Sequence, residues 1–191
     1  MKNEIGAIFQ ESARIRDNFL ADNVEQIVEI VHQLIKVINR GDKILLFGNG
    51  GSAADCQHIA AEFVNRYRIE RKPLPALALT TDTSVLTAIG NDYAFEDVFA
   101  KQITALGRKG DAVIGISTSG KSANVNKGLA VARQSGLVTI GIGGAPDSPM
   151  KSFCDHYLAV YGSITPRIQE THMIIGHTIV EMLDMKLFGS V

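Results

Sequence analysis

The sequence lacks most of what would send a chain to a membrane, a nucleic acid or an oxidising compartment. Its 19 basic and 20 acidic side chains leave a formal net charge of −1. That near-neutrality offers no electrostatic footprint for nucleic acid or an anionic bilayer. The one basic cluster, Arg66, Arg68, Arg71 and Lys72, is interrupted by Glu70. Two cysteines, Cys56 and Cys154, stand far apart without CxxC spacing. This excludes a disulfide framework and reads as buried thiols of a reducing compartment. No apolar run approaches the roughly 20 residues of a spanning helix. The charge-interrupted opening stretch, MKNEIGAIFQESARIRDNF, has no signal-peptide core. Repeats, low-complexity stretches and Pro/Gly linkers are also missing. The expectation is a cytoplasmic chain with neither nucleic acid nor membrane as partner.

What is present is apolar side chain: 46% of 191 residues are hydrophobic, enough for one core and little more. Residues 1–191 are therefore expected to form a single domain. Over residues 1–41 the apolar positions recur at helical spacing, with Ile5, Ile8, Phe9, Ala13, Ile15 and Phe19 in one stripe. A second stripe runs through Val24, Ile27, Val28, Val31, Leu34, Ile35 and Ile38. Ala21-Asp22-Asn23 reads as a break with a cap, which predicts an N-terminal helical hairpin. It would form a bundle with the last helix or with another subunit.

From residue 42 the pattern changes. KILLFG (43–48), PALALT (75–80), DAVIGIS (111–117), VTIGIG (138–143) and HYLAVY (156–161) are short apolar runs. Helical stretches lie between most of them. Runs without strict alternation suit strands buried on both faces. The alternation of strand and helix predicts an α/β three-layer sandwich around a five-stranded parallel sheet. The closing stretch, Arg167 to Leu187, reads as an amphipathic helix.

Two strand-to-helix turns have the residue types of an anion site. Asn49-Gly50-Gly51-Ser52 follows KILLFG and precedes a helix. Glycine lets the backbone approach a ligand, and the helix start supplies free N–H groups and its positive dipole end. An ordinary turn with a serine cap fits this stretch equally well. Ser117-Thr118-Ser119-Gly120-Lys121-Ser122 crowds four hydroxyls onto one turn, as a phosphate with many short donors requires; a polar turn with a serine cap is the plainer alternative. Read from Gly115, the segment GISTSGKS also satisfies the GxxxxGK[ST] nucleotide expression. Gly115 falls inside the apolar run, however, which weakens the nucleotide reading.

His58 and Glu62 lie four residues apart on a predicted helix, hence about 40° apart around its axis. Such a pair holds a divalent ion, poises a general base, or simply faces solvent. The last helix carries Gln169, Glu170, His172 and His177. Gln169 and His177 would be about 12 Å apart along a regular helix, far for two ligands of one ion. Gln169 is therefore expected at a frayed helix start, or one of the two serves a neighbouring subunit. His172 and Met173 read as packing groups or as supports behind a site, and His32 and His156, with no partner pattern, as structural. Asn91-Asp92 reads either as a helix end or as a contact for sugar hydroxyls.

GNGGSAAD, the HxxxE of His58 and Glu62, Arg66-Tyr67, LTTDTS, AIGND, ISTSGKSANV and RIQExHxxxxH follow one another across nearly the whole chain. In that order they resemble the sugar isomerase (SIS) domain family, and within it the phosphoheptose isomerases. The resemblance implies a homotetramer with active sites between subunits and a small-molecule sugar phosphate as substrate. Asn49, Gly50, Gly51, Ser52, Glu62, Arg66 and Gln169 would contact it, Asn91 and Asp92 its hydroxyls, and Ser117, Thr118, Ser119 and Ser122 its phosphate. His58, Glu62, Gln169 and His177 match positions that bind zinc, one ion per subunit. Glu62 and His177 match the acid/base pair. The implied reaction converts sedoheptulose 7-phosphate to D-glycero-D-manno-heptose 7-phosphate, in the supply of heptose for lipopolysaccharide or S-layer glycans. Some members carry Asp where this chain has Pro166, which removes that contact. The alternative is a non-catalytic SIS scaffold associated with a replication initiator. That relative lacks the carboxylate and imidazole that stand here at Glu62 and His177.

Overall fold

One continuous helix, α1 (Lys2–Asn39), opens the chain in place of the expected hairpin. The computed structural model describes residues 1–189; the last two residues of the expected domain, 190 and 191, lie outside the described residues. The correction at the N-terminus has a plain cause. The buried positions Ile15, Phe19, Ile27, Ile30, Leu34 and Val37 keep one helical phase straight through residue 23. Asn23 sits in that phase, and its Nδ2 donates to the Phe19 carbonyl of the same helix at 2.8 Å. With no glycine or proline at 21–23, a polar side chain satisfied by its own helix does not break it.

The sheet has five parallel strands in the order β2-β1-β3-β4-β5. They are β1 (Ile44–Gly48), β2 (Ala76–Ala78), β3 (Ala112–Ser117), β4 (Val138–Gly143) and β5 (His156–Ala159). Side chains alternate between two cores. Ile44, Leu46, Ile114, Ile116, Ile140 and Ile142 pack beneath α1, α2 (Gly51–Val64) and α6 (Thr165–Phe188). Leu45, Phe47 and Val113 pack against α4 (Val98–Leu106) and α5 (Ala123–Gln134). Strands wholly covered on both sides read as unbroken apolar runs, which is the pattern of the sequence. Each fully buried aliphatic or aromatic side chain contributes about 1.5–3 kcal/mol. The three layers and five strands are as expected, and α3 (Thr83–Asp92) completes the set of helices described.

The strand order places the ligand-binding edge. β1 leads outward to β2, whereas β3 leads the other way to β4, so the chain reverses direction between β1 and β3. The turns after these two neighbouring strands therefore diverge and leave a crevice at their carboxyl ends. Gly48 pairs in register with Ile116, which brings the two candidate turns side by side.

His172, for which packing was one of two expected places, is fully buried; its Nε2 lies 3.1 Å from the Gly143 carbonyl at the end of β4. Burial lowers its pKa to about 4, only partly opposed by that hydrogen bond. The ring is therefore neutral in the fold at a pH where the unfolded chain protonates it. Between about pH 6.5 and 4 the unfolded state holds the extra proton, so stability falls as pH falls, by about 3 kcal/mol in full. Urea titrations at pH 7 and 4.5 are expected to show that loss, and His172→Gln to flatten it. An equal slope in the variant would assign the acid sensitivity elsewhere.

Candidate active site

The crevice is built from two turns tied together by an amide pair. Asn49, just after β1, exchanges two hydrogen bonds with buried Asn124 at the start of α5, each 2.8 Å. Asn124 was not singled out from the sequence. It sits in ISTSGKSANV as an apparently ordinary first-turn residue, and only the sheet order makes it face Asn49. Beside it, the Ser117 and Ser122 hydroxyls lie 3.0 Å apart, and Ser119 Oγ accepts from the Lys121 amide at 3.1 Å. Gly50 and Gly120 hold φ of +55° and +62°, a region that favours glycine. The turns thus direct hydroxyls and the N-termini of α2 and α5 toward one place. Ser52 is buried in the first turn of α2 and Thr118 is half-buried. Gly115 lies inside β3 with Leu129 packed on it, so it forms no part of a nucleotide loop.

A second cluster lies along the seam of α2 and α6. His58 Nε2 is 3.2 Å from Glu62 Oε1 and 3.3 Å from His177 Nε2. One donor atom from each of the three residues falls within 4.8 Å of the others. A tetrahedral ion with bonds of about 2.0–2.1 Å sets its ligands roughly 3.3 Å apart, and two imidazoles with one carboxylate are a common zinc set. The residues therefore fit a divalent metal. Tyr67 stacks on His177 at 5.5 Å between ring centres.

Gln169 does not join this cluster within the chain. It is the fifth residue of a regular α6, not a frayed start. Its carboxamide abuts Gly51, and its Nε2 donates to Asp55 Oδ2 at 3.2 Å. Burial raises the pKa of Asp55, partly offset by the Gln169 bond and the nearby His58 charge. Glu62, eleven residues beyond Gly51, is about 16 Å along α2 from the crevice. Asn91 and Asp92 end α3, exposed and bonded to each other at 2.8 Å. Exposed Arg66 reaches Glu70 at 3.8 Å. Cys56 is buried and Cys154, expected to be buried too, is only half-buried; burial pushes the Cys56 thiol up, and that of Cys154 to about 12.

A 2-1-3-4-5 parallel sheet with a hydroxyl-lined crevice at its reversal defines an α/β domain suited to a small anionic ligand. The chain belongs to the SIS-domain family, whose "SIS domain" model matches residues 8–144. A phosphoheptose isomerase of Nitratidesulfovibrio vulgaris is 51% identical over 181 residues, covering 95% of this chain and 87% of the relative. One from Clostridium acetobutylicum is 48% identical over 191 residues, covering 99% and 97%. The solved structure of phosphoheptose isomerase from Neisseria gonorrhoeae superposes with a TM-score of 0.90 at 41% identity, covering 96% of this chain and 98% of that one. The chain is thus an enzyme of this family and not a non-catalytic scaffold.

Proposed function

We propose that this enzyme interconverts sedoheptulose 7-phosphate and D-glycero-D-manno-heptose 7-phosphate. The observation that carries the reading is the convergence of His58, Glu62 and His177, an acid/base set that binding alone does not need. The family relationship and the hydroxyl-rich crevice support the phosphosugar part. Ser117, Thr118, Ser119 and Ser122 hold the phosphate together with the α5 N-terminus. Asn49, Gly50, Gly51 and Ser52 line the sugar, with Arg66, Asn91, Asp92 and Gln169 as further contacts.

Glu62 takes the proton from the carbon beside the ketose carbonyl. An enediol forms on the substrate, and the proton returns to the neighbouring carbon. His177 supplies and removes the proton on oxygen. His58, Glu62 and His177, with Gln169 of a neighbouring copy as a fourth ligand, would hold zinc, which would polarise the carbonyl and stabilise enediolate charge. A carboxylate bound to the metal is a weaker base, so Glu62 serves one role at a time.

Within one chain Gln169 is bonded to Asp55, about 12 Å along α6 from His177, and the turn at Gly51 lies about 16 Å along α2 from Glu62. This favours sites completed between copies, in a cytoplasmic homotetramer. Uncovered apolar side chains on α1, Ile5, Ile8 and Phe9, support such an assembly. Among the described residues no helix is long and apolar enough to cross a membrane.

The test is to incubate the protein with sedoheptulose 7-phosphate and follow aldose formation by NMR, with chelator and after zinc is returned. Conversion that chelation abolishes and zinc restores is the expected result. Failure to convert under every condition would refute the reading, and conversion unaffected by chelator would remove the metal.

A further inference from the structure

Arg71 lies in the same sequence cluster as Arg66 and Arg68, yet its surroundings set it apart. Its side chain is 1% exposed, in the loop that leaves α2. Nε donates to Asp184 Oδ1 of α6 at 2.7 Å. Nη2 donates to the carbonyl of Glu62 at 2.8 Å, and Nη1 to that of Phe63 at 2.7 Å, with longer bonds to Asn65 and Lys72. One guanidinium therefore caps the carboxyl end of α2 and pins it to α6. The arrangement requires Arg, because three nitrogens in a rigid fork serve two carbonyls and a carboxylate together.

The position of this clamp matters more than its presence. Glu62 is a member of the triad, and Arg71 holds its backbone carbonyl. Asp184 is seven residues after His177, on the same face of α6. The clamp therefore grips α2 at Glu62 itself and α6 two turns beyond His177. The seam is also close: a Cβ on Gly176 would run into Ile59 Cδ1, so the Ile59 side chain of α2 packs directly on the α6 backbone beside His177. The second carboxylate oxygen of Asp184 is buried and has no partner among the described residues. Among the described residues Arg71 is the one cation that meets its carboxylate.

We infer that the Arg71–Asp184 pair is a positioning device that sets the spacing of His58, Glu62 and His177 by locking the end of α2 onto α6. It touches neither substrate nor metal. The inference rests on the isomerase and metal reading for its functional consequence, and on helix geometry for its cause.

Two variants test it. Arg71→Lys keeps the charge and loses the fork. The double variant Arg71→Met/Asp184→Leu removes both buried ions, so neither is left unanswered. Each is examined by circular dichroism, Co²⁺ titration followed by visible absorption, and the kcat and KM for sedoheptulose 7-phosphate. Folded variants are expected to bind Co²⁺ about tenfold or more weakly, as loss of groups that orient metal ligands does, with kcat reduced and KM unchanged. Co²⁺ affinity and kcat both within twofold of wild type in a folded variant would overturn the inference. If the double variant does not fold, Arg71→Lys decides alone.

Failure of the wild type to bind Co²⁺ or to isomerise would sink the functional reading instead. The clamp is then judged by the imidazole ¹⁵N shifts of metal-free His58 and His177. They move together in Arg71→Lys if the clamp sets their contact, and stay in place if it does not. Should Arg71→Lys also fail to fold, Asp184→Asn, which keeps an acceptor for Nε, is read by the same shifts and the same criteria.

Discussion

Glu62→Gln is expected to fold like the wild type and to lose turnover by ~10²–10⁴-fold, the usual worth of a positioned general base. Gln is nearly isosteric and still hydrogen-bonds, but it takes no proton. Glu62 is half-buried near the end of α2, and its backbone carbonyl still accepts from Arg71. The fold therefore has little reason to respond. His177→Ala should behave similarly, since it removes the ring that meets His58 and stacks on Tyr67. NMR progress curves with sedoheptulose 7-phosphate, beside thermal melts, separate the two effects. Turnover within about threefold of wild type in either protein would remove that residue from the mechanism.

Gly144→Ala should act at the other end of the site. Gly144 follows β4, and a Cβ there would collide with the Thr118 carbonyl in the hydroxyl-rich turn. The obstacle is backbone, which has no rotamer by which to move aside, so the turn itself must shift. Misplacement of a binding loop by a fraction of an ångström to one ångström costs roughly tenfold or more in a site that depends on position. Overpacking adds a stability cost of about 1–3 kcal/mol. The expected result is a raised KM for the phosphosugar, together with a lower melting temperature and a smaller change in kcat. An unchanged KM would mean that Thr118 and its turn do not hold the phosphate.

The order of strands and helices from residue 42 onward was legible because a parallel sheet buries both faces. Burial on both faces makes KILLF, AVIGI and VTIGIG unmistakable as sequence. The continuity of the N-terminal helix is not legible locally, because Asn23 resembles a cap. What keeps it helical is a hydrophobic phase shared with residues 15 and 37, across more than twenty positions. Asn124 and Asp55 escaped notice for a related reason. Their partners, Asn49 and Gln169, are remote in sequence, and no local pattern advertises an amide pair. The basic cluster at 66–72 gives the sharpest case. It reads as one patch, but its members take separate partners: Arg66 with Glu70, Arg68 with Glu181, and buried Arg71 with Asp184.

By itself the sequence determined the fold class, the two polar turns at strand ends, and the residue types able to hold a metal and move protons. These depend on periodicity and on neighbours along the chain. Only the tertiary structure decided which of those residues meet. It joined His58 and Glu62 to His177, left Gln169 on Asp55, and drew Arg71 inward to Asp184. Such meetings depend on how α2 and α6 pack against each other on one face of the sheet, and close packing between remote helices is a property of three dimensions that no spacing along one chain encodes.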